Sequence, residues 1–228
     1  MPHRFSERLS LKDRTVEYIF DAILSGRINP GERLNESKLA RDLRISRAPI
    51  REALQQLQEQ CLLINVARRG TFVVCLEQED IQKINSLRLV LESEALRLCR
   101  RRLNPEREKT LKQLVLDMES MDAAPLKLSM RIDFDFHRTI WSFTGNEHLE
   151  RTLTRLTAPL FAHVGRKLFR SDKLRIILDA HRPLFEFIRG DSEQTAEQIM
   201  LTHLSIRYEQ PERFASIGRT PAIGDESA

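Results

Sequence analysis

The 228 residues predict a mainly α-helical protein in two parts: three short helices closed by a basic-tipped β-hairpin, then a longer all-helical bundle. Three observations predict it. Apolar residues recur at helical spacing along most of the chain, and strand-like runs stand only between residues 62 and 75. Turn signals at Pro30-Gly31, Gly70, Asn104-Pro105 and Gly145-Asn146 divide that periodicity into segments. Charge is uneven: residues 1–75 hold 13 Lys+Arg against 9 Asp+Glu, while the remaining 153 hold 24 of each. The excess positive charge therefore lies in the first third, the part expected to meet a polyanion.

Composition sets the outer bounds. Hydrophobic residues make up 41%, charged residues 31% and aromatics 6%, which suits a helix-rich protein with a real core. No apolar run approaches the ~20 residues a membrane span requires, so no membrane partner is expected. The opening "MPHRFSERLS" lacks the apolar core of a secretory signal, and a cytoplasmic protein is expected. Cys61, Cys75 and Cys99 are odd in number and widely spaced, so small buried thiols are expected rather than disulfides or a structural zinc site.

Val16, Ile19, Phe20, Ile23 and Leu24 form one helical stripe, which Gly26 stops. A second helix is expected over Glu36–Leu43, with Leu39, Ala40 and Leu43 facing inward. A third opens in "RISRAPIREALQQL", residues 44–57. Ser46 suits the N-cap, and Pro49 falls in the first turn, where backbone N–H groups have no intrahelical partner. Ile50, Ala53, Leu54 and Leu57 make the buried stripe, which leaves Arg47 and Arg51 together on the exposed side. Two guanidiniums at the start of an exposed helix face are placed to meet phosphates and guanine edges. Two β-prone runs then flank "ARRG", where Gly70 supplies a positive φ and Arg68 and Arg69 form the tip. Three helices followed by such a hairpin make a winged helix-turn-helix, residues 1–75.

The stretch "ILSGRINPGERLNESKLARDLRISRAPIREALQQL…RRGTFVV" resembles the DNA-binding domain of the GntR family of bacterial transcriptional regulators. One departure stands at Cys61, where that family usually has glycine; it bears on the local turn, not on the fold. The resemblance implies a double-stranded DNA operator. It implies that Arg47 and Arg51 read bases, with Ser46 and Ala48 beside them. Arg69 and Gly70 would reach the minor groove from the wing, and Ser37 and Lys38 would start a helix that meets the backbone.

Beyond a hinge at residues 76–80, residues 81–210 read as six helices: 81–103, 105–121, 126–145, 146–169 (bent at Pro159), 171–190 and 191–210. Gly190 fits a helix C′ position, and Asp191 with Gln194 resembles a capping box. Residues 211–228 lack periodicity and are expected to be a disordered tail. Asp133 and His137 stack on one helix face; His181 and His203 stand on later helices. Three imidazoles and a carboxylate can hold a divalent metal, Zn²⁺ first, with Ni²⁺ or Mn²⁺ as alternatives. Composition leaves the plainer reading open, in which three of six histidines simply fall on helices.

"LRLVLESEA", "DFDFHRTIWSFTGN" and "AHRPLFEFIRGDSEQTAEQIMLTHL" resemble the FCD effector domain of the FadR-type branch, and six helices resemble its VanR-like variant. The resemblance implies an all-helical dimerisation domain. It makes Asp133, His137, His181 and His203 the metal ligands, and a small organic-acid effector the partner of the metal. Arg88 and Asn146 are the candidate effector contacts, although Arg88 with Glu92 also reads as a plain i,i+4 ion pair. The expected protein is a homodimeric, ligand-responsive regulator, in first place a repressor. Two alternatives are a metal-dependent hydrolase using the His₃Asp centre and a metal-free pocket with the quartet as a polar core. The hydrolase lacks a placed general base, because Asp135 lies off the Asp133 face.

Overall fold

A computed structural model describes residues 10–121, 126–168 and 174–208. Helix α1 (Leu11–Leu24) opens on a reciprocal capping box between Ser10 and Asp13 and buries the five predicted stripe residues. Strand β1 (Arg33–Leu34) is a two-residue element that no periodicity announces. Helix α2 (Glu36–Leu43) is capped by Asn35, whose Oδ1 accepts from the Lys38 N–H at 3.0 Å. Helix α3 (Arg47–Glu59) buries Ile50, Ala53, Leu54 and Leu57 as expected. Ser46 occupies its N-cap with extended backbone, but the hydroxyl makes no capping hydrogen bond, which corrects the expected cap. Strands β2 (Leu63–Val66) and β3 (Gly70–Val73) pair antiparallel, Leu63 opposite Val73 and Val66 opposite Gly70. Strand β1 joins the far side of β3, giving the order β1-β3-β2. Gly70 takes φ 104°, as the hairpin requires, and Cys61 keeps a left-handed φ of 60° despite its side chain.

Helix α4 (Gln78–Arg101) begins inside the segment read as a hinge, with Asp80 Oδ2 accepting from the Glu77 N–H at 3.0 Å. Helix α5 (Pro105–Glu119) follows with Pro105 in its first turn and Asn104 as cap. Helices α6 (Leu126–Phe143) and α7 (Glu147–Leu168) come next, and α7 runs on through Pro159. The single helix expected over 171–190 is two, α8 (Leu174–Asp179) and α9 (Arg182–Arg189). Pro183 is the reason: it has no N–H to give to Asp179, and its ring collides with that carbonyl. With α10 (Ala196–Tyr208) the bundle has seven helices among the described residues, α4–α10, so the six-helix count is corrected. Gly190 closes α9 with φ 95°, but the capping box lies four residues later than expected. Gln198 Oε1 accepts from the Thr195 N–H at 2.8 Å and Thr195 Oγ1 from the Gln198 N–H at 3.3 Å. Of the three thiols only Cys99 is buried; Cys61 and Cys75 are exposed. The expected tail at 211–228 lies outside the described residues.

The winged head packs on the bundle through α1. Phe20 meets Phe134 of α6 with ring centroids 5.2 Å apart. Beside them Arg131 donates to Glu17 at 2.6 Å, to Asp21 at 3.1 Å and to Asp135 at 2.8 Å. At the junction between the two parts, the Leu76 N–H donates to His163 Nδ1 at 3.3 Å. Among the described residues no helix is long and apolar enough to cross a membrane.

Candidate functional site

The head carries exposed basic side chains on α2, α3 and the β2–β3 turn. Arg47 and Arg51 lie outward on α3, opposite its buried stripe, with Ser46 and Ala48 exposed beside them. Ser37 and Lys38 are exposed at the start of α2, and Arg69 at the tip of the β2–β3 turn. Arg51 is 69% exposed and its Nη2 lies 3.2 Å from Glu36 Oε2. An exposed pair of that kind is worth little, so the guanidinium can exchange Glu36 for another acceptor at small cost. Gly70 sits where a Cβ would come 3.1 Å from Arg33 Nε, which brings a further arginine to the wing through the unexpected strand β1.

The second site is enclosed. Asp133, His137 and His181 are fully buried and His203 is 1% exposed. Asp133 and His137 share a face of α6, His181 caps α9, and His203 comes from the middle of α10. Each imidazole turns its Nδ1 outward to an acceptor: His137 to Glu92 Oε2 at 2.9 Å, His181 to the Leu178 carbonyl at 3.0 Å, His203 to the Ala180 carbonyl at 3.2 Å. The last turn of α8 and the break after it supply two of these three acceptors. Burial pushes the His137 and His181 imidazoles down to about 4 and His203 well below its usual value. Burial also pushes the Glu92 carboxyl up, but Arg88 and His137 outweigh it and hold Glu92 well below the carboxylate range. Near neutral pH the three rings are therefore uncharged with the proton on Nδ1, and every Nε2 is a bare acceptor.

Those acceptors point at one another. His137 Nε2 is 3.2 Å from His203 Nε2, His181 Nε2 is 3.0 Å from Asp133 Oδ1, and that oxygen is 3.7 Å from His137 Nε2. One ligand atom from each of the three histidines lies within 4.8 Å of the other two. Lone pairs facing lone pairs in a buried site are repulsive unless a cation lies among them. The spacings suit one: ligands about 2.0–2.1 Å from a tetrahedral zinc stand roughly 3.3 Å apart. Outward Nδ1–H groups held by a carboxylate and by carbonyls are the usual support of metal-bound imidazole. The residues present fit a divalent ion.

Two family models match in tandem: bacterial regulatory proteins of the gntR family over residues 11–73, and the FCD domain over residues 83–205. The chain belongs to the GntR family of regulators with an FCD domain. The HTH-type transcriptional regulator YdhC of Bacillus subtilis is 30% identical over 80% of this chain and 83% of its own length. The Nta operon transcriptional regulator of Aminobacter aminovorans is 26% identical over 82% of this chain and 88% of its own. In fold the chain is similar to E. coli McbR/YncC, with a TM-score of 0.74 and 20% identity, covering 89% of this chain and 99% of that one.

This GntR-family chain is thus a DNA-binding transcriptional regulator and not an enzyme, which sets the hydrolase alternative aside. The geometry agrees. Asp135 accepts from Arg131 on the face of α6 turned to the head, and Glu92 beside the histidines is committed to Arg88 and His137. Arg88 does form the ion pair, Nε to Glu92 Oε1 at 2.6 Å, and is fully buried next to the histidine cluster. Asn146 is not brought there: its exposed side chain caps α7, accepting from the Leu149 N–H at 3.1 Å. Glu92 as the partner of His137 has no local signal, since 45 residues separate them. Asn85, buried one turn before Arg88, is the other residue that spacing alone does not single out.

Proposed function

We propose that this regulator is a homodimeric repressor whose FCD domain holds a divalent metal, Zn²⁺ first, and a small carboxylate effector that releases operator DNA. Asp133, His137, His181 and His203 hold the metal, which when bound offers its remaining positions to the carboxylate. The observation that carries the reading is the inward set of atoms, His181 and His137 Nε2 facing Asp133 Oδ1 and His203 Nε2 facing His137 Nε2, with every Nδ1–H turned outward. Charge supports it as well. Arg88, Glu92 and Asp133 sum to a buried formal charge of −1, a divalent ion makes +1, and one carboxylate restores neutrality. An uncompensated buried charge costs several kcal/mol, about what the anion would recover.

At the other end Arg47 and Arg51 read base edges in the major groove, with Ser46 and Ala48 against the same groove wall. Ser37 and Lys38 meet phosphates at the start of α2, and Arg69 enters the minor groove from the wing past Gly70. Two chains pair through their helical domains, where Leu87 and Val90 leave 52% and 62% exposed apolar residues on α4, and so meet two half-sites. Tag-free protein assayed by elemental analysis should carry one zinc per chain. A His181→Ala variant should carry none and should bind operator without responding to carboxylates. Metal-free wild-type protein with an intact effector response would sink the reading.

A further inference from the structure

Asn85 is 1% exposed, and neither its amide nitrogen nor its amide oxygen has a hydrogen-bond partner. It shares one stripe of α4 with Arg88 and Glu92, at i, i+3 and i+7, and Glu92 reaches His137 from that stripe. Its flank is apolar: Ile81 is packed against Leu160, and the Arg88 guanidinium lies 5.8 Å from the Phe161 ring centroid. An apolar side chain there would leave no polar group unpaired, whereas an amide with both functions unpaired is costly. Departures of this kind from local packing rules concentrate at functional sites.

We infer that Asn85 is a specificity-determining residue of the effector site, and that it selects a carboxylate bearing a neighbouring hydroxyl. The inference rests on the proposed effector pocket of the FCD domain. An amide offers two N–H donors and one carbonyl acceptor. A plain carboxylate can meet only the donors and leaves the Asn85 carbonyl unpaired. A hydroxyl or an ammonium beside the carboxylate would satisfy the carbonyl too. Charge separates the two: a hydroxy acid brings the single negative charge that neutralises the metal-loaded cluster, and a zwitterionic amino acid does not. The class is therefore a small hydroxy acid, with its carboxylate toward metal and Arg88 and its hydroxyl toward Asn85.

The test uses zinc-loaded full-length protein titrated calorimetrically with matched pairs: glycolate and acetate, 2-hydroxypropanoate and propanoate, malate and succinate, gluconate and hexanoate, with alanine as the zwitterionic arm. The wild type should bind the hydroxy member of at least one pair tenfold or more tighter than its deoxy partner, and tighter than alanine. Asn85→Leu should bind the hydroxy acid and its deoxy partner with equal affinity while zinc content stays unchanged. Asn85→Ala serves if the leucine variant does not fold. A hydroxyl preference that survives both substitutions, or a wild type with no preference or no binding in any pair, overturns the assignment. Elemental analysis of the same samples keeps the two readings apart. Protein without zinc refutes the metal centre, and zinc-loaded protein without the hydroxyl preference refutes only Asn85.

Discussion

Glu92 is the residue on which the geometry of the buried site turns, and Glu92→Gln isolates its charge with little change of shape. The carboxylate accepts from Arg88 Nε at 2.6 Å and from His137 Nδ1 at 2.9 Å. Glutamine keeps one carbonyl oxygen for one of them, and its amide cannot accept from the other. The buried formal charge then rises by one, from +1 to +2 with a divalent ion in place. Carboxylates that support a metal-bound histidine typically contribute 10–100-fold in metal affinity, or about 1.4–2.7 kcal/mol. Zinc affinity measured by competition with a chromophoric chelator should fall by that factor. The ligand-free protein should also lose stability, because Arg88 stays buried with a weaker partner; breaking such a pair outright costs about 3–5 kcal/mol. Far-UV circular dichroism confirms that the variant is folded. A folded Glu92→Gln protein that binds zinc within twofold of wild type would refute the orienting role given to Glu92.

Substitutions at three further residues have expected outcomes. Arg51→Ala should lose about 1–3 kcal/mol of operator affinity by fluorescence anisotropy with the fold intact, and an equal loss on unrelated DNA would rule out base reading. Cys61→Gly should leave stability unchanged or raise it by up to about 1.5 kcal/mol in thermal denaturation, since relief of a left-handed side chain, about 1–2 kcal/mol, is only partly offset by glycine's extra chain entropy, about 0.5–1 kcal/mol. Cys61→Val should destabilise by more than about 1 kcal/mol, and a valine variant as stable as wild type would mean the turn relaxes out of φ 60°. Arg131→Met should cost about 1–2 kcal/mol in chemical denaturation, since its ion pairs to Glu17 and Asp21 are part-exposed and screened. The same variant should raise amide exchange at residues 74–77, and unchanged exchange there would show that Arg131 does not fasten the head.

What could be read from the sequence was what chemistry places locally. Helix α2 ends where its apolar stripe ends, α3 begins at the residue after Ser46, and Gly70 takes the positive φ its hairpin needs. Asp133 and His137 were legible because four residues is one helical turn. The errors have equally local causes. Periodicity ran smoothly across Ala180-His181 and hid the break that Pro183 imposes. Asp191 and Gln194 mimic the capping pair that Thr195 and Gln198 form. Strand β1 is too short to show a period, and Ser46 has cap composition without the cap bond. Long-range partners left no trace: nothing near Glu92 marks His137, and nothing near Asn85 reveals that its amide meets no protein group.

The two sites are joined by α6, and the joint is a consequence of helical spacing. Asp133 and His137 are four apart, as are Arg131 and Asp135, and the two pairs are offset by two residues, which puts them on roughly opposite sides of the helix. One side lines the histidine cluster; the other holds Glu17 and Asp21 of α1, which in turn packs against α3. If Asp133 and His137 hold the proposed metal, a movement of α6 that improves its coordination must strain or relax the Arg131 clamp. Coupling of this kind is reciprocal. Arg131→Met should therefore shrink the effector's influence on operator affinity and, by the same factor, operator's influence on effector affinity. If the effector still weakens operator binding as much in Arg131→Met as in wild type, the signal travels by α4 and the Leu76–His163 junction instead, and α6 is only a scaffold for the ligands.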